Sequence, residues 1–139
     1  MSSPKILVTN KISPRGVEKL KEYGFELIWP KSNLVEDVKE LIGDADGIIA
    51  RMTPIKQELI EAAPNLKIIG MHGVGLDGID VKLAEEKGIA VVHTPEANAI
   101  SVAENVMAMI LNLAKHTIGA DYALRVENRF QDRDKYLGH

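Results

Sequence analysis

Short apolar runs alternate with stretches of helical periodicity along this chain, and this alternation most restricts how it can fold. The runs have the length of strands, whereas the stretches between them repeat apolar residues every three or four positions. The predicted strands are residues 6–8, 25–29, 47–50, 67–71 and 89–92, and the predicted helices between them are residues 14–23, 35–42, 57–63 and 81–87. Alternating strands and helices form a parallel sheet with helices on both faces. The sequence therefore predicts an α/β fold, a flavodoxin-like doubly wound parallel five-stranded sheet.

The residues after the fifth strand follow a different pattern, which predicts a C-terminal helical arm. Ser101 and Glu104 have the spacing of a capping box, so a helix is predicted over residues 101–116. Apolar residues fall on every side of this helix, and a second, amphipathic helix is predicted over residues 118–128. An arm with so much apolar surface needs another domain or a second subunit to cover it.

Charge and composition exclude several classes of protein. The 139 residues carry a net charge of -3, so the chain has no basic stripe for nucleic acid and no polybasic membrane anchor. It has no cysteine, which excludes disulfides and thiolate metal sites and fits a reducing compartment. The most apolar run, residues 102–114, is too short and too polar to cross a bilayer. We therefore expect a soluble, cytoplasmic protein without a metal site.

Candidate binding residues follow the predicted strands, at the edge of the sheet where doubly wound folds bind ligands. Arg51 offers a planar charged fork suited to carboxylate or phosphate, and Gly73 and Gly75 let backbone N–H groups approach an anion. The residues at these four strand ends are 9–10, 51–54, 72–75 and 93–98. Simpler roles remain open at this point: Arg51 as a solvated or paired surface charge, the glycines as turns, and Asn98 as a capping residue. Histidines at strand ends, such as His72 and His93, are more often packed or hydrogen-bonded than catalytic.

Residues 73–78 match the dinucleotide-binding pattern G-x-G-x-x-G, but we interpret them differently. In that fingerprint the pyrophosphate lies at a helix N-terminus, in the first strand-helix unit. Here Asp77 and Asp80 would stand at the helix N-terminus and repel a phosphate, and the unit is the fourth. We therefore predict an anion-binding turn that contacts substrate.

A set of residues in the second half of the chain stands in the order and spacing of a known family. They are residues 65–70, Gly73, Val74, Gly75, Asp77, Ile79, Asp80, Gly88, Ile89, Thr94, Pro95, Asn98, Val102, Ala103 and Glu104. With these residues the chain resembles the D-isomer-specific 2-hydroxyacid dehydrogenase family, and within it the D-3-phosphoglycerate dehydrogenase branch. The resemblance covers essentially the whole chain.

This resemblance implies an NAD-dependent oxidoreductase that transfers a hydride between nicotinamide and a D-2-hydroxyacid similar to 3-phosphoglycerate. Residues 1–100 would be the substrate-binding domain, and residues 101–139 an interdomain arm leading to a nucleotide-binding domain outside this chain. The catalytic groups and most of the NAD site would also lie outside it, so the chain alone is expected to be inactive and not to bind NAD. A homodimer would form through residues 101–128. The family's substrate-binding positions correspond to Arg51, Met52, Gly73, Val74, Gly75 and Asn98, and its nicotinamide contacts to Val74 and Val102.

Several residues depart from the family pattern and leave the identity of the acid open. Met52 replaces the usual Ser or Thr, Met71 stands where Arg is common, His72 replaces a small residue, and Gly78 replaces a frequent Asn. An alternative is a non-catalytic module of flavodoxin-like fold, which either binds a small anion or hydroxyacid or has a regulatory role. A phosphoacceptor receiver domain is disfavoured, because that chemistry needs acidic residues after the first strand and an Asp after the third.

Overall fold

The computed structural model describes residues 3–129 and 135, and the chain divides into two compact units, Met1–Ala97 and Asn98–His139. The first unit contains a five-stranded sheet in the order β2-β1-β3-β4-β5, and all of its strand pairs are parallel. The strands are β1 (Lys5–Val8), β2 (Glu26–Ile28), β3 (Gly47–Ala50), β4 (Ile68–Met71) and β5 (Ala90–Val92). This strand order confirms the predicted flavodoxin-like doubly wound sheet.

Four helices connect the strands, as the alternating pattern predicts. They are α1 (Pro14–Glu22), α2 (Val35–Ile42), α3 (Gln57–Glu61) and α4 (Val81–Glu86). The largest difference from the predicted ends is at α3, which stops at Glu61 although the apolar pattern continues to Ala63. Pro64 explains the early end, since a proline disfavours the helical conformation in the residue before it.

Two apolar clusters pack on opposite faces of the sheet because successive strand residues point to opposite sides. Leu7, Ile48 and Ile69 face the larger cluster, which includes buried residues of α2, α3 and α4. Ile6 and Val8 face the smaller cluster, to which α1 contributes Val17 and Leu20. Within this unit, three helices therefore cover one face and a single helix covers the other.

The strand order reverses between β1 and β3, and this reversal positions the candidate site. After β1 the chain forms β2 on one side and then returns to form β3 on the other. Val8 is level with Ile49 in the register, and the Thr9 N–H donates to the Ile49 carbonyl at 3.1 Å. The residues that leave β1 and β3 therefore start side by side at the carboxyl edge, where open α/β sheets bind ligands.

The second unit is helical and contains α5 (Ala99–Lys115) and α6 (Thr117–Arg125). His116 separates the two helices in a left-handed conformation with φ 51°. No residue of α5 is buried, and in α6 only Ala123 is. None of the helices within the described residues has the length and hydropathy needed to span a membrane.

The predicted capping box at Ser101 and Glu104 is wrong. Helix α5 begins at Ala99, so Ser101 is already its third residue, and Asn98 holds the N-cap position without a side-chain capping bond. The Asn98 carbonyl accepts the Val102 N–H at 2.9 Å, which forms the first helical turn upstream of Ser101. Ala99 favours this extension because alanine has the highest helix propensity.

Candidate functional site

The backbone of Arg51 is fixed by Thr9, the residue that follows β1. The Thr9 hydroxyl donates to the Arg51 carbonyl at 3.0 Å and accepts the Arg51 N–H at 2.8 Å. Thr9 is one of two buried polar residues in the described part of the chain, with 2% of its surface exposed. The sequence placed Thr9 at the candidate edge but gave no signal for this reciprocal bond, which depends on the pairing of β1 with β3. The bond holds Arg51 at a set position beside the reversal point.

The guanidinium of Arg51 is not neutralised by an ion pair. Its Nη1 donates to the Lys11 carbonyl, and no carboxylate of the described residues pairs with it. A guanidinium has five N–H donors, so one bond to a carbonyl leaves most of the fork available. Arg51 is also half-buried rather than fully solvated. The side chain therefore retains both the charge and the donors needed to bind an acid.

Met52 follows Arg51 in a strained conformation with φ 64°. A left-handed conformation costs a residue other than glycine roughly 1 kcal/mol, and such strain is concentrated at ligand-binding segments. The Met52 side chain is 73% exposed, and its sulfur accepts a hydrogen bond from Asn10 Nδ2 at 3.4 Å. Met52 thus offers an apolar, accessible surface beside Arg51 where the family pattern has a hydroxyl.

Gly73, Val74 and Gly75 form a loop after β4 in which the carbonyls of Gly73 and Val74 are hydrogen-bonded to the segment after β5. The Gly73 carbonyl accepts both the N–H of Thr94, at 3.1 Å, and its hydroxyl, at 3.2 Å. The Val74 carbonyl lies 2.7 Å from Nδ1 of His93. Thr94 and His93 both belong to the segment that follows β5.

The peptide groups that contain the Gly73 and Val74 carbonyls also contain the N–H groups of Val74 and Gly75, and these two N–H groups have no partner among the described residues. In a trans peptide the N–H points opposite to the C=O, so the N–H groups of Val74 and Gly75 turn away from His93 and Thr94. Neither N–H donates to any described residue. β4 lies next to β3 in the sheet, so this loop and Arg51 follow neighbouring strands at the same carboxyl edge. Adjacent N–H groups that point the same way form an anion-binding concavity.

The two glycines of this loop are not required by its backbone conformation. Neither Gly73 nor Gly75 has a positive φ, and a Cβ at these positions would lie 3.5 Å from Met71 Cε and 3.4 Å from Asp77 Oδ2. Their contribution is therefore open space around the two N–H donors rather than conformational freedom.

The structure supports the rejection of residues 73–78 as a pyrophosphate loop. Helix α4 begins only at Val81, and Asp80 occupies its N-cap, where Oδ1 accepts the Leu83 N–H at 3.1 Å. A carboxylate thus already stands at this helix N-terminus and takes one of the N–H donors that a phosphate would need. The residues of this segment do not fit the pyrophosphate of a dinucleotide.

Asn98 and Val102, the other two predicted contacts, belong to the second unit. Asn98 is the N-cap residue of α5, and its side chain makes no capping bond. Val102 lies in the first turn of α5 and is 51% exposed. Their roles toward substrate and nicotinamide stay predictions.

The charged groups at the opposite edge of the sheet have a structural role. Asp46 precedes β3, and the Lys67 ammonium, which donates to Asp46 Oδ1 at 2.7 Å, lowers the pKa of this carboxyl. The Lys5 N–H adds to this effect through a bond to Oδ2 at 2.9 Å. Among the described residues, no three His, Asp or Glu side chains gather as metal ligands.

The fold defines a class of protein, a doubly wound α/β domain. Within the described residues, its carboxyl edge carries the Arg51 guanidinium without an ion pair and two adjacent N–H groups without a hydrogen-bond partner. A model of the family described as D-isomer specific 2-hydroxyacid dehydrogenase, catalytic domain, matches residues 6–131. The chain therefore belongs to the D-isomer specific 2-hydroxyacid dehydrogenase family, as its sequence pattern predicted.

Three known proteins illustrate this relationship. The chain is 41% identical over 122 residues to the D-3-phosphoglycerate dehydrogenase of Methanocaldococcus jannaschii, covering 87% of this chain and 23% of that protein. It is 37% identical over 128 residues to the glyoxylate reductase of Korarchaeum cryptofilum, covering 88% and 38%. A D-lactate dehydrogenase of Aquifex aeolicus, solved with NAD and lactic acid, superposes with a TM-score of 0.79 at 27% identity, covering 97% and 40%. The chain thus spans less than half the length of the relatives it matches.

Proposed function

We propose that this chain is the substrate-binding part of an NAD-dependent dehydrogenase that acts on D-2-hydroxyacids, and that it holds the substrate carboxylate. The observation that carries the proposal is the pair of N–H groups at Val74 and Gly75, which have no partner among the described residues and follow the strand next to the one that Arg51 follows. Two neutral donors and one permanent cation match the oxygens and the charge of a carboxylate.

In this proposal, the cofactor and the residues of this chain have different roles in the reaction. When bound, NAD supplies or accepts the hydride at C2, and this chain's residues fix the acid so that C2 has one orientation. A carboxylate bound in a single plane restricts rotation of the neighbouring carbon, which is the main contribution of a positioning site to rate. Val74 and Val102 are proposed to lie near the nicotinamide, and Asn98 to contact the substrate.

The acid is proposed to resemble 3-phosphoglycerate. The relatives named above are described as acting on phosphoglycerate, glyoxylate and lactate, which share only the carboxylate and a 2-hydroxy or 2-oxo group. Arg51, Val74 and Gly75 would serve this shared group. Selection among the acids would then depend on residues beside it, such as Met52, which is 73% exposed.

The experiment that tests this proposal replaces Arg51 in the dehydrogenase that contains this chain. Arg51→Ala should lower kcat/KM by about two to three powers of ten, or roughly 3 to 4 kcal/mol, because it removes a charge-assisted bidentate contact. Arg51→Lys should lie between the wild type and the alanine variant, since an ammonium restores charge but not the fork.

Arg15→Ala is the matched control, because Arg15 is exposed on α1, in the same unit. It should change kcat/KM by less than about twofold, as expected for a surface charge. If Arg51→Ala also stayed within a factor of about two, the carboxylate proposal would be wrong. Binding of the hydroxyacid without turnover by the wild-type protein would instead favour a non-catalytic module.

A further inference from the structure

The two residues behind the candidate carboxylate loop, His93 and Thr94, hold the peptide groups whose N–H donors the proposed function uses. Both are exposed and lie in the segment after β5. We propose that His93 is a positioning residue for the substrate carboxylate, with Thr94 in a supporting role: its imidazole fixes the Val74 carbonyl and so aims the Gly75 N–H at the anion. This inference rests on the proposed function of the loop.

The contact requires one particular tautomer of His93. A carbonyl oxygen can only accept a hydrogen bond, so the 2.7 Å separation between Nδ1 and the Val74 oxygen requires the proton to be on Nδ1. In a neutral imidazole, the hydrogen bonds of the two ring nitrogens decide which of them carries the proton. The neutral ring must therefore carry its hydrogen on Nδ1 and leave Nε2 unprotonated.

Nothing else in the described part of the chain fixes this peptide group. The Val74 carbonyl accepts only from His93, and neither the N–H nor the carbonyl of Gly75 bonds to a described residue. The nearest backbone bonds on either side are from the Thr94 N–H to the Gly73 carbonyl, at 3.1 Å, and from the Ile79 N–H to the Leu76 carbonyl, at 2.8 Å. Without His93, the peptide between Val74 and Gly75 could rotate and turn its N–H away from the anion.

Thr94 supports the preceding peptide in a less vulnerable way. Its main-chain N–H and its hydroxyl both donate to the Gly73 carbonyl, so replacing the side chain leaves one of the two bonds. The peptide that carries the Val74 N–H should therefore tolerate substitution at residue 94, whereas the peptide that carries the Gly75 N–H depends on a single imidazole. This difference makes His93 the sharper test.

The first test measures the tautomer directly in the 139-residue chain. Long-range ¹H–¹⁵N spectra of the imidazoles, recorded at a pH where they are neutral, should show the proton of His93 on Nδ1. His72 is the internal control, because its ring is exposed and bonds to no described residue. It should show the Nε2–H form that predominates in unconstrained histidine. A His93 ring with its proton on Nε2 would overturn the proposal, whatever the protein's activity.

The second test is kinetic and uses the dehydrogenase that contains this chain, with its 2-oxoacid as the varied substrate. His93→Phe should raise KM about three- to tenfold with kcat within about twofold, because one hydrogen bond of ordinary strength no longer orients the donor. His93→Asn should recover most of the loss, since its amide places an N–H donor near the position of Nδ1. Thr94→Val should raise KM less than His93→Phe does.

The outcomes separate this inference from the proposed function. A large loss of kcat/KM in Arg51→Ala together with an unchanged KM in His93→Phe would overturn the positioning role alone. An equal rise of KM in His93→Phe and His93→Asn would also overturn it, because a role in packing is not restored by a donor. An unchanged kcat/KM in Arg51→Ala would refute the proposed carboxylate binding itself. The tautomer measurement would still decide whether His93 fixes the loop.

Discussion

The two units of this chain contain similar apolar residues but expose them very differently. In the sheet unit, Leu7, Ile48 and Ile69 have at most 1% of their surface exposed. In the helical unit, Leu113 and Ile118 have 76% and 72% exposed, and no residue of α5 is buried. Hydrophobic composition alone therefore does not predict burial. The sheet unit buries its larger apolar cluster with its own helices, whereas α5 presents an apolar surface that its own unit leaves open.

This difference separates a unit that buries most of its apolar core with its own helices from a unit whose long helix leaves its apolar residues exposed. Parallel strands are stable only when helices cover them, and α2, α3 and α4 provide that cover within the same unit. A contiguous apolar surface such as that of α5 marks an interaction site with another domain or another chain. We propose that a second copy of the chain covers part of it, in a homodimer through residues 101–128.

The largest expected effect concerns the interior of the sheet unit. Ile48→Ala should lower the free energy of unfolding by about 2–5 kcal/mol, because it leaves a cavity in the larger cluster. Leu113→Ala in α5 is the matched control and should cost less than about 0.5 kcal/mol in dilute protein. Urea titration followed by the fluorescence of Trp29, the only tryptophan, and by far-UV circular dichroism would measure both. Equal costs for the two variants would contradict the contrast between the units.

A second prediction tests whether the helical unit associates. Light scattering of the wild-type chain should show a mass that rises with concentration, and Ile110→Glu combined with Leu113→Glu should weaken this association about ten- to hundredfold. The reason is that a carboxylate in an apolar interface must be desolvated without a partner. Tyr23→Glu adds one carboxylate at an exposed apolar position in the sheet unit and should change nothing. A wild-type chain that stays monomeric over a wide concentration range would refute the dimer proposal.

The smallest expected effect concerns the N-cap residues of α4, in the sheet unit, and α5, in the helical unit. Asp80→Ala should lower the free energy of unfolding by about 1 kcal/mol, because Asp80 caps α4 through the Leu83 N–H. Asn98→Ala should cost only a few tenths of a kcal/mol, since the Asn98 side chain makes no capping bond in α5. The two variants can be compared by thermal or urea unfolding at one pH. A cost at Asn98 equal to that at Asp80 would mean that the start of α5 is fixed in a way the side-chain bonds do not reveal.

The sequence predicted the fold well because its strand-helix rhythm is strong and regular. All five strands and the four connecting helices were found from periodicity, and α2 was placed at its observed bounds. The start of α5 was misplaced, since a capping-box spacing at Ser101 competed with the helix propensity of Ala99, and propensity prevailed.

The candidate site was predictable only in part. The carboxyl edge, Arg51 and the loop of Gly73 to Gly75 follow from topology, because parallel strands bring their ends to one edge. The roles of Thr9 and His93 do not, since each depends on a hydrogen bond between segments 42 and 19 residues apart. No local pattern encodes such bonds. They become visible only when β1 lies beside β3 and β4 beside β5.

The reciprocal bond between Thr9 and Arg51 has a consequence for how this site can diverge. The backbone position of Arg51 follows from the register of β1 and β3, which the buried core maintains. Met52 and His72, which are both exposed, can therefore be exchanged without moving the backbone that carries Arg51. If Arg51 binds the acid as we propose, substrate preference would change through substitutions of its neighbours, while selection on folding alone preserves the backbone position of the cation.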